Sequence, residues 1–531
     1  MNHPAAASEA QTTRNDVVMM WDDAIPHYTY CPNACHPMKP LRLQLLHRLL
    51  EKLDVLKHLC IMKPPAIDRA QLEAYHAPEY LQFLIRESST SSRHRLVEES
   101  RKKTEHGGTR LEVYENLRHV EPEALTVNVV NSYGSTEINT MDTLLDAIRS
   151  VRKENRLDET DSESGEESKP VARGREFTQK QPRAQKKRAA EVQPPKLGMQ
   201  ADEDVREEQS ENDEVGADTD DMNCFFRLSG DCPPFDGLYD YSAHIASGSV
   251  AGAVLLNTGT ASTVINWAGG LHHAHRFEAA GFCYVNDIVL SIIELLKVFE
   301  RVLYVDIDIH HGDGVEEAFI ASDRVMTISF HRHGFDGFFP GTGWKEDIGV
   351  GPGEGFALNV PLYDGVRDDQ FYFLLFKPIL RDAIDRFAPQ AIVMQCGADS
   401  ISGDRIGRFN LSSAGHARCV ALVKSLHLPT LILGGGGYTM TNVARTWALE
   451  TALLSGAAGV HELSIIPAHD FDVYYSSVPR ERVLGVQEDV TMGNENAPSY
   501  IEHIRALSIE QLRGLPTRAY DHKSFDDAST D

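Results

Sequence analysis

Apolar positions along this chain follow two rhythms. Short aliphatic and β-branched runs recur as STVINW (262–267), RVLYVDI (301–307), RVMTISF (324–330), AIVMQC (391–396) and TLILGG (430–435). Runs of that length and composition read as strands buried on both faces. Between them lie helical patterns such as DIVLSIIELLKVF (287–299), and two more occur upstream, near Leu41–Leu56 and Gln71–Leu84. Strands alternating with helices predict an α/β fold around a central, mostly parallel sheet. No period of 20 to 50 residues is visible, which argues against a solenoid.

Between Ser88 and Asn223 the pattern breaks. Leu144, Leu145, Ile148 and Val151 recur at helical spacing, but from Asn155 to Met222 apolar residues are sparse and charges come in blocks, which predicts disorder. The expected organisation is one domain built from residues 17–88 and 225–515, interrupted by an acidic, largely disordered insertion at 89–224 and followed by a short disordered tail at 516–531.

The chain has 531 residues and 42% apolar content, enough for one large core. No apolar run approaches the ~20 residues of a membrane span, and MNHPAAASEAQTTRND does not read as a secretory signal, so a soluble intracellular protein is expected. Eight cysteines do not suggest a disulfide framework. Cys31 and Cys35 form a CxxxC with no second pair, a poor zinc-finger pattern. The net charge of −26 argues against direct nucleic-acid binding and favours a basic partner; residues 201–221 alone hold eleven acids against one arginine. Lys186-Lys187-Arg188 is a candidate nuclear import signal, and Ser162 and Ser164 lie among acids as candidate phosphorylation sites.

The chemistry concentrates in VLYVDIDIHHGDG (302–314). Alternate residues of a strand share a face, so Asp306, Asp308 and His310 are expected on one side where the strand ends. Isolated carboxylates are costly to bury, and no lysine or arginine lies in the strand to pair with them. A divalent cation would offset that cost, and oxygen plus imidazole donors suit zinc or a similar transition metal. Ligands in open α/β sheets bind beyond the carboxyl ends of strands. Three other segments bring polar groups to such ends: Asp399 after AIVMQC, Tyr438 after TLILGGGG, and the pair His272-His273 in INWAGGLHHAHRF. GGGG is not followed by GK[ST], so it is not a phosphate loop.

Taken together, CHPMKPLR, DCPPFDGL, NWAGGLHHA, GFCYVNDIV, DIDIHHGDGVEEAF, FFPGTG, QCGADSISGDR, FNLSSAGH and GGGGYT resemble, in order, a class I zinc-dependent histone deacetylase of the arginase/deacetylase superfamily. The resemblance covers roughly 17–88 and 225–515 and implies a three-layer α/β/α fold. It implies a catalytic zinc on Asp308, His310 and Asp399, with Asp306 and Asp313 as carboxylate partners of His272 and His273. It also implies a potassium ion held by backbone atoms near Asp306, Asp308, His310, Ser329 and Phe330. Phe282 and Phe339 fall on the walls of an acyl-lysine tunnel beside Gly281, Asp231 on its rim, and Tyr438 on the residue that polarises the amide carbonyl.

The implied activity is hydrolysis of acetyl-lysine amides, with histone tails as substrate, a nuclear location and a corepressor-type complex. An acetylpolyamine amidohydrolase, a two-manganese arginase-like enzyme and an inactive scaffold are the alternatives. Two departures stand out. Lys39 and Arg405 match a basic cluster that holds inositol phosphate in the family, but Leu41 and Thr441 replace two of its polar members, which predicts weak anion binding. The loop HRHGFDGFFPG (331–341) is longer than the family's and is expected to reshape the tunnel mouth.

Overall fold

A computed structural model describes residues 17–30, 36–88, 127–131, 134–138, 223, 225–475 and 482–516. The readings made above for the CxxxC pair, the 141–155 helix, the disordered stretch, the basic cluster, Ser162, Ser164 and the tail fall outside these residues. No described helix is long and apolar enough to cross a membrane.

Among the described residues, ten strands run in chain order: β1 (Val17–Met20), β2 (Cys60–Met62), β3 (Val127–Asn131), β4 (Gly134–Ile138), β5 (Thr263–Asn266), β6 (Val302–Asp306), β7 (Val325–Arg332), β8 (Ala357–Leu362), β9 (Ala391–Gln395) and β10 (Thr430–Leu433). The chain divides into two units. One, residues 110–222, contributes β3 and β4, an antiparallel pair with Val127 opposite Ile138. The other, residues 1–109 and 223–531, holds a single sheet in the order β2-β1-β5-β10-β9-β6-β7-β8, parallel at every pairing.

Every residue of β5 to β10 is buried. Alternate residues of a strand face opposite sides, so helices must cover both faces of the sheet, giving the three-layer α/β/α arrangement. Every strand expected from the apolar runs forms. The strands β1, β2, β3, β4 and β8 are additional. β8 (ALNVPL) carries Pro361, which a central strand tolerates poorly, and it sits at the sheet edge where the missing N–H does no harm. The helix Pro498–Gly514 packs against that edge, and Gln511 Nε2 donates to Ala357 O at 2.6 Å.

The helical pattern near Gln71–Leu84 resolves into two helices, Arg69–Leu72 and Pro78–Ser88. The first ends six residues before Pro78, which suits the opening turn of the second because its missing N–H costs nothing there. The upstream pattern forms the helix Leu41–Lys52, then a separate turn at Val55–His58.

Register positions the site. Asp306 pairs with Ser329 on β7 and Gln395 on β9, while Leu433 of β10 pairs with Gln395 and with Asn266 of β5. The carboxyl ends of four neighbouring strands, β5, β10, β9 and β6, therefore form one row, with Ser329 of β7 beside it.

Candidate active site

The polar residues expected at the strand ends lie in this row or just past it. Asp306 closes β6, but Asp308 and His310 lie beyond the strand, in the loop leading to the helix Asp313–Phe319. Asp399 sits in a turn after β9, and Tyr438 follows the glycine run after β10. His272 and His273 lie between β5 and the helix Asp287–Leu295.

Asp308, His310 and Asp399 are buried, and one donor atom from each lies within 4.8 Å of the others. His310 Nδ1 is 3.0 Å from Asp308 Oδ1 and 3.1 Å from Asp399 Oδ2. The remaining carboxylate oxygens are occupied by protein donors: Gln395 Nε2 and the Gly436 N–H reach Asp308 Oδ2 at 2.8 Å each, and the Ile309 N–H reaches Asp399 Oδ1 at 3.0 Å. Burial and the Asp308 charge push Asp399 up to about 7. Burial opposes protonation of His310, yet Asp308 and Asp399 outweigh it and raise that imidazole to about 10. Two facing carboxylates thus call for positive charge between them, and this donor set fits a divalent transition metal. Backbone crowds the cradle: a Cβ on Gly436 would fall 2.0 Å from Asp399 Oδ2.

The two histidines beside this cluster stand with ring centroids 3.9 Å apart. His272 Nδ1 meets Asp306 Oδ2 at 2.8 Å, and His273 Nδ1 meets Asp313 Oδ1 at 2.6 Å. Burial works against charge on both rings, but Asp306 and Asp308 raise His272 to about 9. For His273, burial and the neighbouring His272 charge prevail over Asp313 and lower it to about 3. Two adjacent imidazoles are thereby split into a cationic and a neutral partner.

The loop that presents them is tied to the next helix. Asn286 caps that helix by accepting from the Val289 N–H, and its Nδ2 donates to Ala274 O at 2.9 Å and His272 O at 3.3 Å. Asp287 accepts the N–H groups of Gly270 and Leu271.

Aromatic rings line the approach. Phe339 sets its edge against His273, centroids 4.8 Å apart at 86°, and Phe282 does the same to Tyr438 at 5.6 Å and 77°. Gly281 (φ +51) precedes Phe282 (φ +68), and a side chain at 281 would strike His273 at 2.4 Å. Asp231 is exposed and accepts the Gly281 N–H at 3.1 Å. Tyr438 is 5% exposed, with its phenol pKa raised well above normal by burial and then by Asp399 and Asp308. Ser329 and Phe330 lie on β7 beside Asp306; Phe330 is packed against Phe371 and Phe376.

Sequence reasoning missed four supports. Arg42 is buried and donates to the carbonyls of Gly437 (2.8 Å) and Gly435 (2.6 Å), holding the glycine run. Gln395 grips Asp308, Tyr304 donates to Asp306 Oδ2 at 2.6 Å, and Asp404 Oδ2 accepts the Tyr438 N–H at 2.7 Å. An arginine opening an otherwise apolar helical stripe was the one visible signal.

Comparison with known proteins agrees with this geometry. The histone deacetylase domain model matches residues 36–454. Histone deacetylase 19 of Arabidopsis thaliana is 56% identical over 290 residues, 55% of this chain and 56% of that protein. Human histone deacetylase 1 is 52% identical over 291 residues, 55% of this chain and 58% of that one. Histone deacetylase RPD3 of Saccharomyces cerevisiae is 49% identical over 304 residues, covering 57% and 68%. The chain spans little more than half the length of the first two relatives. Its sheet, its buried metal-type cluster and the extent of the match make one conclusion: this chain belongs to the histone deacetylase domain family.

Proposed function

We propose that this protein hydrolyses acetyl-lysine amides in proteins, histone tails foremost, yielding acetate and free lysine. The observation that carries this is the buried Asp308–His310–Asp399 cluster beside two histidines, each hydrogen-bonded through Nδ1 to its own aspartate. Asp308, His310 and Asp399 would hold a zinc ion, which when bound supplies Lewis-acid polarisation of the amide carbonyl and brings the pKa of water toward ~7.

The chain's own residues do the rest. His273 donates Nδ1–H to Asp313, leaving Nε2 free to accept a proton from the attacking water and return it to the departing lysine nitrogen. His272 stays cationic and stabilises the negative charge that develops. The buried Tyr438 hydroxyl keeps its proton and donates it as a hydrogen bond to the carbonyl oxygen. Phe282 and Phe339 enclose the apolar lysine stem, Gly281 keeps the tunnel open, and Asp231 accepts substrate backbone N–H groups at the rim.

Further assignments belong to the same reading. Backbone atoms near Asp306, Asp308, His310, Ser329 and Phe330 would hold a potassium ion; Ser329 lies beside Asp306 in the sheet. Residues 17–88 and 225–515 form one catalytic domain interrupted by 89–224; Gly237 N–H donating to Ser88 O at 3.3 Å supports that junction. The protein works in the nucleus and in a corepressor-type complex, with weak inositol phosphate binding.

The test is turnover of acetylated histone peptides and acetylpolyamines by one sample whose metal content is measured. Peptide turnover with one zinc per chain is expected. Turnover of acetylpolyamines alone, or two manganese ions per chain, would sink the reading.

A further inference from the structure

His275 has no place in these steps, yet it touches their machinery. Its ring is half-buried, with Nε2 3.7 Å from Asp313 Oδ2 and Nδ1 hydrogen-bonded to Glu317. Asp313 gives its other oxygen to His273. Asp313 and Glu317 stand four residues apart on the helix Asp313–Phe319, and so share one face. A row of four groups therefore runs from the reacting centre outward: His273, Asp313, His275 and Glu317, the last 61% exposed.

The surroundings favour a cation at His275. Burial opposes charge on the ring, but Asp313 and Glu317 overcome it and raise His275 to about 10. Around it, Glu278 pairs with Arg227 at 3.2 Å, Arg276 lies over Phe277, and Tyr75 and His76 are both held in their neutral forms by burial. Asp313 Oδ2 has His275 as its charged neighbour, while Oδ1 takes His273 and the Gly314 N–H at 2.9 Å.

A carboxylate can rotate about its bond to Cβ, and its two oxygens are equivalent, so what must be held is the plane of the group: only near the observed plane does one oxygen meet His273 Nδ1 while the other faces His275. We propose that His275 is a positioning residue for the deacetylation reaction: as a cation against Oδ2, anchored from outside by Glu317, it locks the Asp313 carboxylate and through it the orientation of the His273 ring. This rests on the reading of His273 as proton acceptor. Partners of this kind, one step removed from the reacting group, typically change activity about 10- to 100-fold when lost.

The experiment uses zinc-loaded full-length chain. His275→Gln should lower kcat about tenfold or more with KM little changed, His275→Lys should recover most of it by restoring the cation, and Asp313→Asn should make His275→Gln nearly silent. The far-downfield proton resonance of the His273–Asp313 hydrogen bond should broaden or vanish in His275→Gln and persist in His275→Lys. A His275→Gln enzyme with wild-type kcat, additivity with Asp313→Asn, or an unchanged resonance would overturn the proposal. If the wild type turns over no acetyl-lysine peptide, the reaction reading fails, and the resonance still decides the role of His275.

Discussion

Phe338 lies flat against the imidazole of His310, ring centroids 5.1 Å apart and planes 6° from parallel. The Arg332 guanidinium also stands over the Phe338 ring, 4.5 Å from its centroid. Arg332 is itself held by Asp336 at 2.5 and 2.6 Å and by Asp364 at 2.8 Å. In the segment 331–341, whose first two residues close β7 rather than belonging to a loop, Phe338 thus joins a tethered arginine to a candidate metal ligand. Aromatic stacking contributes about 0.5–1.5 kcal/mol and a cation–π contact a similar amount. Phe338→Ala should weaken zinc retention about three- to tenfold, measured by competition with a chelator. Equal affinity in the two proteins would show that the stack does not support His310.

Tyr438→Phe removes one hydrogen-bond donor and no packing volume. The backbone at this point is held independently, since Asp404 Oδ2 accepts the N–H groups of Tyr438 and Thr439 at 2.7 and 3.1 Å. The substitution should cost about 3 kcal/mol of transition-state stabilisation, roughly two orders of magnitude in kcat, with the melting temperature unchanged. Near-normal turnover would remove the phenol from the mechanism.

Metal removal should destabilise the fold as well as stop turnover. Asp308 and Asp399 are both fully buried, and a cation that binds only the folded chain stabilises it by about 2.7 kcal/mol at a free concentration 100 times its Kd. Chelation should therefore lower the melting temperature, and zinc should restore it. In Asp399→Asn the zinc-dependent part of the shift should disappear; a shift as large as in the wild type would place the metal elsewhere.

Acid sensitivity has an identifiable source at His76. This ring is fully buried, and its Nε2 accepts the Asn286 N–H at 2.9 Å, a bond that needs the neutral imidazole. Burial lowers its pKa from 6.5 to about 3. The unfolded chain then binds the proton more readily than the folded one, so stability is present above pH 6.5 and is lost as pH falls from 6.5 toward 3. At 1.36 kcal/mol per unit the contribution reaches about 4–5 kcal/mol at the low end. Denaturant melts of His76→Gln should fall less steeply across this window than those of the wild type; parallel slopes would refute the assignment.

The local chain was enough to specify much of this protein. Aliphatic runs such as VLYVD and AIVMQ are too apolar to be left in water and too short for helices, so β6 and β9 were legible. The acids at their ends were legible as a metal-type cluster because a buried carboxylate without a cation is costly. The stretch 73–77 shows the limit of periodicity: the apolar spacing continues through it, but the first helix ends at Leu72, the Ala77 N–H turns to Arg276 O, and Pro78 opens a second helix.

What the tertiary structure alone decided are relationships across long stretches of chain. Arg42 and Gly437 are 395 positions apart, yet one guanidinium holds the glycine run that carries Tyr438. The opposite charge states of His272 and His273 depend on which carboxylate each ring meets and how deeply it is buried. Residue identity and spacing dictate which groups must avoid water. Distance, orientation and dielectric, which set pKa values and hydrogen bonds, arise only when the sheet brings β5, β10, β9 and β6 side by side.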